Sequence, residues 1–115
     1  MNGQESAVYS HLVNRYLSTG RKKRTELGQL IQVLENLRSS GGMIISSIAR
    51  YTNMSHYTAN KNCETLLKAG LVSRELTFGN KRYRLTSDGM SFLNDCRNFG
   101  DVLYRYRLSG TLYYY

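Results

Sequence analysis

Apolar side chains recur at intervals of three and four residues along five stretches of the chain, the spacing that places them on one face of a helix. These stretches are residues 1–20, 25–38, 45–52, 55–70 and 87–108. Between residues 71 and 86 the period changes to the alternation typical of a strand. The pattern therefore predicts a mainly α-helical chain with a small β-structure.

The helix predicted over residues 55–70 is sharply delimited. It begins after Ser55, whose hydroxyl can cap a helix, and stops at Gly70, the usual helix-ending residue. One face of it carries the apolar residues Ala59, Cys63, Leu66 and Leu67. Its first two turns carry polar and aromatic residues elsewhere, namely His56, Tyr57, Asn60 and Lys61. The first face suits a core and the second suits a partner.

A shorter helix comes directly before it. Thr25 offers a cap for residues 25–38, a short extended piece is expected at Met43 and Ile44, and residues 45–52 form the next helix. Two helices joined by three or four residues, the second capped by serine and polar on its first turns, form the helix-turn-helix arrangement.

A β-hairpin follows this pair of helices. Its two strands are predicted at residues 71–78 and 81–86. The Gly79-Asn80 pair between them suits a type II′ turn, and alternation in the second strand puts Tyr83 on one face and Arg82 and Arg84 on the other. A hairpin in this place is a wing, so the predicted fold is a winged helix-turn-helix.

The last predicted helix begins after Thr86 and carries an apolar stripe. Its positions step by three and four, as in a coiled-coil seam: Gly89, Phe92, Cys96, Phe99, Leu103 and Tyr106. A continuous helix to residue 108 would be about 33 Å long, longer than so small a domain needs. We therefore predict a homodimer joined through Phe92, Cys96, Phe99, Leu103 and Tyr106. Gly100 leaves an alternative, in which the helix breaks after Phe99 and a shorter helix folds back on the core.

Charge narrows the kinds of partner. The 115 residues include 16 basic and 8 acidic ones, a formal charge of +8, which fits either an acidic partner such as nucleic acid or a basic surface with no such partner. Four consecutive cations, Arg21, Lys22, Lys23 and Arg24, follow the first predicted helix. They either lie along a phosphate backbone or form a solvated linker.

Several kinds of protein are disfavoured. No apolar run approaches the ~18 residues of a membrane span, and the chain does not start with a hydrophobic signal. Cys63 and Cys96 are too few and too far apart for a disulfide framework or a metal site, so we interpret both as packing residues. Paired carboxylates, a glycine-rich phosphate loop and a nucleophile beside a base are all missing from the sequence. We expect a soluble, cytoplasmic, nucleoid-associated protein with no catalytic residues, cofactor, metal or small-molecule ligand.

Three segments carry a family pattern: Asn53-Met54-Ser55, Leu66-Leu67-Lys68-Ala69-Gly70-Leu71-Val72, and Tyr83-Arg84-Leu85-Thr86-Ser87-Asp88-Gly89-Met90-Ser91-Phe92-Leu93. Together they resemble an archaeal family of small winged-helix DNA-binding proteins. That family includes the small Sulfolobus chromatin-associated proteins and regulators carried by archaeal viruses and plasmids. The resemblance implies a homodimer joined by an antiparallel coiled coil of C-terminal helices, with the second motif helix in a major groove. The chain departs from the family in its additional N-terminal helix and its shorter, glycine-interrupted C-terminal helix.

These observations predict three parts: an N-terminal helix and basic linker (1–24), the winged domain (25–86), and a C-terminal dimerisation helix with its tail (87–115). The residues expected to touch DNA are Ser55, His56, Tyr57, Thr58, Asn60 and Lys61 on the second motif helix, Lys81, Arg82 and Arg84 on the wing, and the basic cluster 21–24. The favoured function is a dimeric transcription regulator that binds double-stranded DNA. Two alternatives stay open: an architectural DNA-binding protein with low sequence preference, and a winged-helix module that binds another protein.

Overall fold

The computed structural model describes residues 25–108, which form four helices and three short strands. In chain order these are α1 (Glu26–Ser40), β1 (Met43–Ile44), α2 (Ile45–Thr52), α3 (His56–Lys68), β2 (Val72–Thr77), β3 (Asn80–Leu85) and α4 (Ser87–Arg105). The predicted helix of residues 1–20, the basic cluster 21–24 and the tail 109–115 lie outside the described residues. The predicted fold class, mainly α with a β-hairpin wing, is confirmed.

Three helices begin where capping residues predict. The hydroxyl oxygens of Thr25, Ser55 and Thr86 accept hydrogen bonds from backbone amides three residues later, at 2.9, 3.1 and 3.0 Å. The Thr86 hydroxyl also donates to the carbonyl of Gly70 at 2.7 Å. Thr86 therefore caps α4 and ties its start to the end of α3.

The core lies between α1, α2 and α3 and is closed by β3 and by the first half of α4. Its fully buried members include Leu34, Leu37, Ile48, Leu66, Tyr83 and Leu93. The predicted inner face of α3 is confirmed, because Ala59, Cys63 and Leu66 belong to this cluster and Leu67 packs at its edge. Each helix buries only its apolar face in the core, so the opposite face of α3 is exposed and can contact a partner.

Two buried amides join the helices, and the sequence pattern did not reveal them. Asn62 Nδ2 donates to Gln29 Oε1 at 2.9 Å, which links α3 to α1. Gln32 Nε2 donates to the backbone carbonyl of Thr52 at 3.1 Å, which links α1 to the end of α2. Because a buried amide is costly without partners, these bonds fix how the three helices cross and so fix the direction of α3.

The wing belongs to a three-stranded antiparallel sheet in the order β1-β3-β2. The extended piece at Met43 and Ile44 is confirmed, and it pairs with Tyr83 and Arg82 of β3. The sequence had predicted only the two-stranded hairpin. Adding β1 anchors the wing to the start of α2 and places Tyr83 in the middle of the sheet.

The wing turn differs from the predicted one. Thr77 pairs with Asn80, so the two central residues are Phe78 and Gly79, one position earlier than predicted. Both have positive φ, at +51° and +79°, which is the signature of a type I′ turn and not of type II′. The register follows from the other end of the hairpin, where buried Val72 faces Leu85 across the two strands.

The last helix is continuous through Gly100. It runs from Ser87 to Arg105, so the alternative with a break after Phe99 is wrong. Its 19 residues give a length of about 28 Å. The first half packs on this chain's own core through Leu93, Phe92 and Cys96.

Candidate nucleic-acid interface

The first two turns of α3 present the polar face that the sequence predicted. His56, Tyr57, Asn60 and Lys61 are exposed, with 78% of Tyr57 accessible. Ser55 and Thr58 cap the helix. The Ser55 hydroxyl accepts a hydrogen bond from the backbone amide of Thr58 and donates one to the Thr58 hydroxyl oxygen at 3.0 Å. The cap residues hold the first turn in shape, and the four neighbouring side chains are open to a partner.

A groove of about 310 Å³ separates this face from the wing. Asn60 lies on one wall of it, and Gly79, Asn80 and Lys81 of the wing lie on another. The start of α2 completes it with Ile44, Ile45 and Ser46. The fold therefore brings together two predicted contact residues, Asn60 and Lys81, that are 21 positions apart in the sequence. Ser46, exposed at the start of α2, is a further polar group at this groove that the sequence analysis did not select.

The three basic residues of the wing have different surroundings. The half-buried Arg82 donates from Nη1 to the carbonyl of Gly42 at 3.1 Å, so it holds the turn before β1. Arg84 Nε is paired with Glu75 Oε1 at 2.9 Å across the hairpin. Within residues 25–108, Lys81 has no ion-pair partner. Lys81 is therefore the least constrained of the three cations, while Arg82 keeps its charge beside a neutral carbonyl.

Positive charge is concentrated in the part of the described chain that carries α3 and the wing. Residues 25–86 contain eight basic and four acidic side chains, whereas residues 87–108 contain three of each. Three of the four acidic groups are neutralised locally, since Glu35 pairs with Arg38, Glu64 with Arg74, and Glu75 with Arg84. The exposed half of α3 from His56 to Lys61 contains no acidic residue. An anion therefore meets little repulsion at this surface.

Arg50 and Tyr51, at the end of α2, form a cation–π pair that the sequence did not predict. The guanidinium carbon of Arg50 lies 5.0 Å from the ring centroid of Tyr51, at the exposed end of α2. Asn53, with φ of +54°, then turns the chain directly into α3. The pair gave no sequence signal, because an exposed Arg-Tyr at the end of an amphipathic helix fits any solvated face.

A comparison with models of protein families shows which family the chain belongs to. A family model described as winged helix-turn-helix matches residues 23–103, about two thirds of the chain and all of the interface described above. The chain belongs to the winged helix-turn-helix family. A comparison with curated proteins gives no match.

Solved structures share the fold at low sequence identity. Apo wild-type MarR from E. coli aligns with a TM-score of 0.64 and 15% identity, over 94% of this chain and 79% of that chain. A probable transcriptional regulator from Pseudomonas aeruginosa gives 0.61 and 20%, over 93% and 79%. Bordetella bronchiseptica BpsR, whose DNA binding is regulated by 6-hydroxynicotinic acid, gives 0.60 and 15%, over 89% and 73%. These likenesses establish the fold alone. Since all three proteins are bacterial, the resemblance to the archaeal members of the winged-helix class stays a prediction.

In this winged helix-turn-helix chain, the residues predicted for dimerisation divide into two groups. Phe92 and Cys96 are half-buried against the core, and Leu103 is buried. Phe99 and Tyr106 remain exposed, by 50% and 72%. Val102, which is 38% exposed, lies between them at helical spacing and was not in the predicted set. The outward apolar stripe of α4 is therefore Phe99 and Val102, continued by Tyr106, the residue that caps the C-terminal end of the helix.

The two thiols are held in their protonated form. Burial raises the pKa of Cys63 to about 12, with a further increase from the carboxylate of Glu64. Burial raises the pKa of Cys96 to about 11, and the carboxylates of Asp95 and Glu35 add to the effect. Both observations agree with the interpretation of the cysteines as packing residues. Among residues 25–108, no group of three or more His, Cys, Asp or Glu side chains is placed to hold a metal ion.

We expect the native protein to react slowly with Ellman's reagent near pH 8. The thiolate is the reactive species, and a thiol with a pKa of about 11 or 12 yields little of it at that pH. Adding urea should make both cysteines react at the rate of free thiols, whose pKa is about 8.5. Stoichiometric labelling of Cys63 in the folded protein, faster than global unfolding, would contradict its buried environment.

In the described part of the chain, no helix combines the length and the apolar character that are needed to cross a membrane.

Proposed function

We propose that this protein is a transcription regulator that binds double-stranded DNA as a homodimer. Membership of the winged helix-turn-helix family and the regulators that share its fold support DNA binding over enzymatic activity. The observation that carries the proposal is the shared groove, where Asn60 from the polar face of α3 and the unpaired Lys81 of the wing line one surface. Such a protein would work at the nucleoid.

In the proposed complex, α3 lies in a major groove and the wing lies on the adjacent backbone or minor groove. The amide of Asn60 has the donor and acceptor needed to pair with adenine N6 and N7. Lys61 reaches guanine or a phosphate, while His56 and Tyr57 add contacts to base edges or to the backbone. Lys81 neutralises a phosphate beside the wing. Arg82 positions the wing through Gly42 and is not needed as a direct contact.

Dimerisation is proposed to use the outward stripe of α4. Phe99, Val102 and Tyr106 are spaced by three and four residues, so they form one ridge that a second α4 can cover. The Val102→Asp substitution would place a charge in the middle of that ridge. We expect it to convert dimers to monomers in sedimentation velocity without unfolding the winged domain. If Val102→Asp dimerises as tightly as the wild-type protein, the dimer interface does not use this ridge.

Selection of bound sequences from a random duplex pool at fixed salt tests the whole proposal. A dimer with two α3 helices related by two-fold symmetry should enrich a palindromic motif with half-sites about one helical turn apart. The regulator interpretation requires specific binding that is roughly 10³-fold or more tighter than non-specific binding at the same salt concentration.

The architectural alternative predicts a different outcome of that selection. A protein that coats DNA would bind the unselected pool as tightly as any recovered sequence, with the same salt dependence. The hydrogen-bonding side chains of α3 favour base readout, because a coating protein needs only cations at these positions. Absence of any salt-dependent retention on duplex DNA would instead favour the protein-binding module.

A further inference from the structure

The tip of the wing carries two apolar side chains that the fold leaves in solvent. Phe78 is 100% exposed, and Leu76, two residues earlier on β2, is 73% exposed. Leu76 pairs with Lys81 across the hairpin, so the aliphatic part of the lysine lies beside the apolar tip. Neither apolar side chain belongs to the core cluster or to the residues packed against it.

The backbone at the tip is also unfavourable for the residue that occupies it. A type I′ turn requires positive φ at both central positions and strongly favours asparagine, aspartate and glycine. Phe78 nevertheless has φ of +51°. A bulky residue in this region is an outlier, and such conflicts between local sequence and local structure concentrate at functional sites. Phenylalanine at this position therefore stabilises neither the turn nor the core, which points to a role outside the folded chain.

The position and charge of the tip indicate what it meets. Gly79, Asn80 and Lys81, the residues that follow Phe78, line the groove shared with Asn60 of α3. Beyond Glu75, which pairs with Arg84, the hairpin has no acidic residue up to residue 84, and the ammonium group of Lys81 has no ion-pair partner among the described residues. An exposed apolar side chain beside an exposed cation fits a partner that is anionic outside and apolar within. The stacked bases of DNA behind their phosphates match this description.

We infer that Phe78 is a wedge that enters the minor groove next to the major groove occupied by α3, and partly unstacks a base step. Minor-groove proteins use phenylalanine, leucine and similar side chains in this way, and the insertion kinks the duplex. Leu76 covers the sugar edge beside the inserted ring, and Lys81 holds the adjacent phosphate. This inference rests on the proposed function. It adds a preference for easily unstacked pyrimidine–purine steps at a position that α3 does not contact.

The first test uses Phe78→Trp, because the natural sequence contains no tryptophan. The substituted side chain keeps the wedge and becomes the only indole fluorophore of the protein. We expect its emission to be quenched, and its access to acrylamide to be lost, when a duplex recovered from the random pool is added to saturation. Saturation is followed independently by the anisotropy of a fluorescein on the duplex. Unchanged tryptophan emission at full saturation would show that the tip stays in solvent, and would overturn the inference.

The matched variant is Phe78→Asn, which fits the type I′ turn better than the natural residue. Its thermal midpoint should be equal or higher, so a loss of binding cannot be attributed to unfolding. Affinity for the selected duplex should fall roughly tenfold, within the range measured for base–aromatic stacking. The slope of log affinity against log salt should stay the same, because no charge is removed. Energy transfer between dyes at the two ends of the duplex should report a smaller bend.

These outcomes separate the wedge from the proposed function. If wild-type protein shows no salt-dependent binding to duplex DNA, DNA binding itself is wrong. If wild-type protein binds and Phe78→Asn binds with equal affinity and equal bend, only the wedge is wrong.

Discussion

Replacing Gly89 by alanine is expected to destabilise the fold by about 3 kcal/mol, although the same exchange in an exposed helix interior stabilises by about 1 kcal/mol. Gly89 lies in the first turn of α4 and is buried. A Cβ built on it would come within 2.2 Å of the carbonyl oxygen of Leu71 and 2.5 Å of Leu85 Cδ1. The oxygen cannot rotate away, because it also accepts the amide of Thr86 at 3.1 Å. The start of α4 would have to move off the base of the hairpin.

The free energy of unfolding in urea, measured for Gly89→Ala and for Ser91→Ala, tests this prediction. Ser91 is exposed on the same helix, so its replacement should change stability by no more than about 0.5 kcal/mol and leave the m-value unchanged. A Gly89→Ala protein as stable as the wild type would mean that α4 and the hairpin are not packed as closely as the structure shows.

The fold was largely predictable from sequence because the signals that set its helix boundaries are local. Capping residues and helix-ending glycines act within a few positions, so the starts of α1, α3 and α4 followed from Thr25, Ser55 and Thr86. Apolar spacing likewise identified the buried face of α3. Gly89 was predicted as the first position of an apolar stripe and as part of the family pattern, without a packing role of its own. Its physical reason, the close approach of Leu71, depends on two segments meeting in space.

Features that depend on pairing between distant residues were predicted less well. The wing turn was shifted by one residue because Gly79 is a strong local signal, whereas the register is set by Val72 facing Leu85 at the other end of the hairpin. The continuity of α4 was also not decided by local propensity, since the helix runs unbroken through Gly100 although glycine is a poor helix former.

The sequence predicted which types of residue form the candidate site, but not which of their side chains are already bound to other parts of the chain. Sequence shows that Lys81, Arg82 and Arg84 are all basic, and alternation assigns two of them to one face. It cannot show that Arg82 binds the carbonyl of Gly42 or that Arg84 pairs with Glu75, because both partners lie on other segments. With these contacts known, Lys81 stands out as the exposed wing cation that lines the groove with Asn60.

The largest expected effect on DNA binding comes from removing Lys61 and Lys81, the two unpaired lysines beside Asn60. The double substitution Lys61→Ala, Lys81→Ala should lower affinity for duplex DNA by roughly tenfold to a hundredfold, and should reduce the salt slope by about two units per protomer. Neither ammonium group has an ion-pair partner within residues 25–108, so the free energy of unfolding should stay within about 0.5 kcal/mol of the wild-type value. Fluorescence anisotropy of a labelled duplex across a salt series measures both quantities.

Lys68→Ala is the matched control for the single variant Lys61→Ala, because each removes one positive charge from the same helix. Lys68 is exposed and lies seven residues after Lys61, so it projects from nearly the same side of α3 about 10 Å further along. If α3 enters the groove with its first two turns, Lys68→Ala should leave both affinity and salt slope close to the wild-type values. A loss as large as that of Lys61→Ala would mean that α3 lies lengthwise in the groove. An unchanged slope in the double variant would show that the surface shared by α3 and the wing is not the DNA interface, since Lys61 and Lys81 are the two cations beside Asn60.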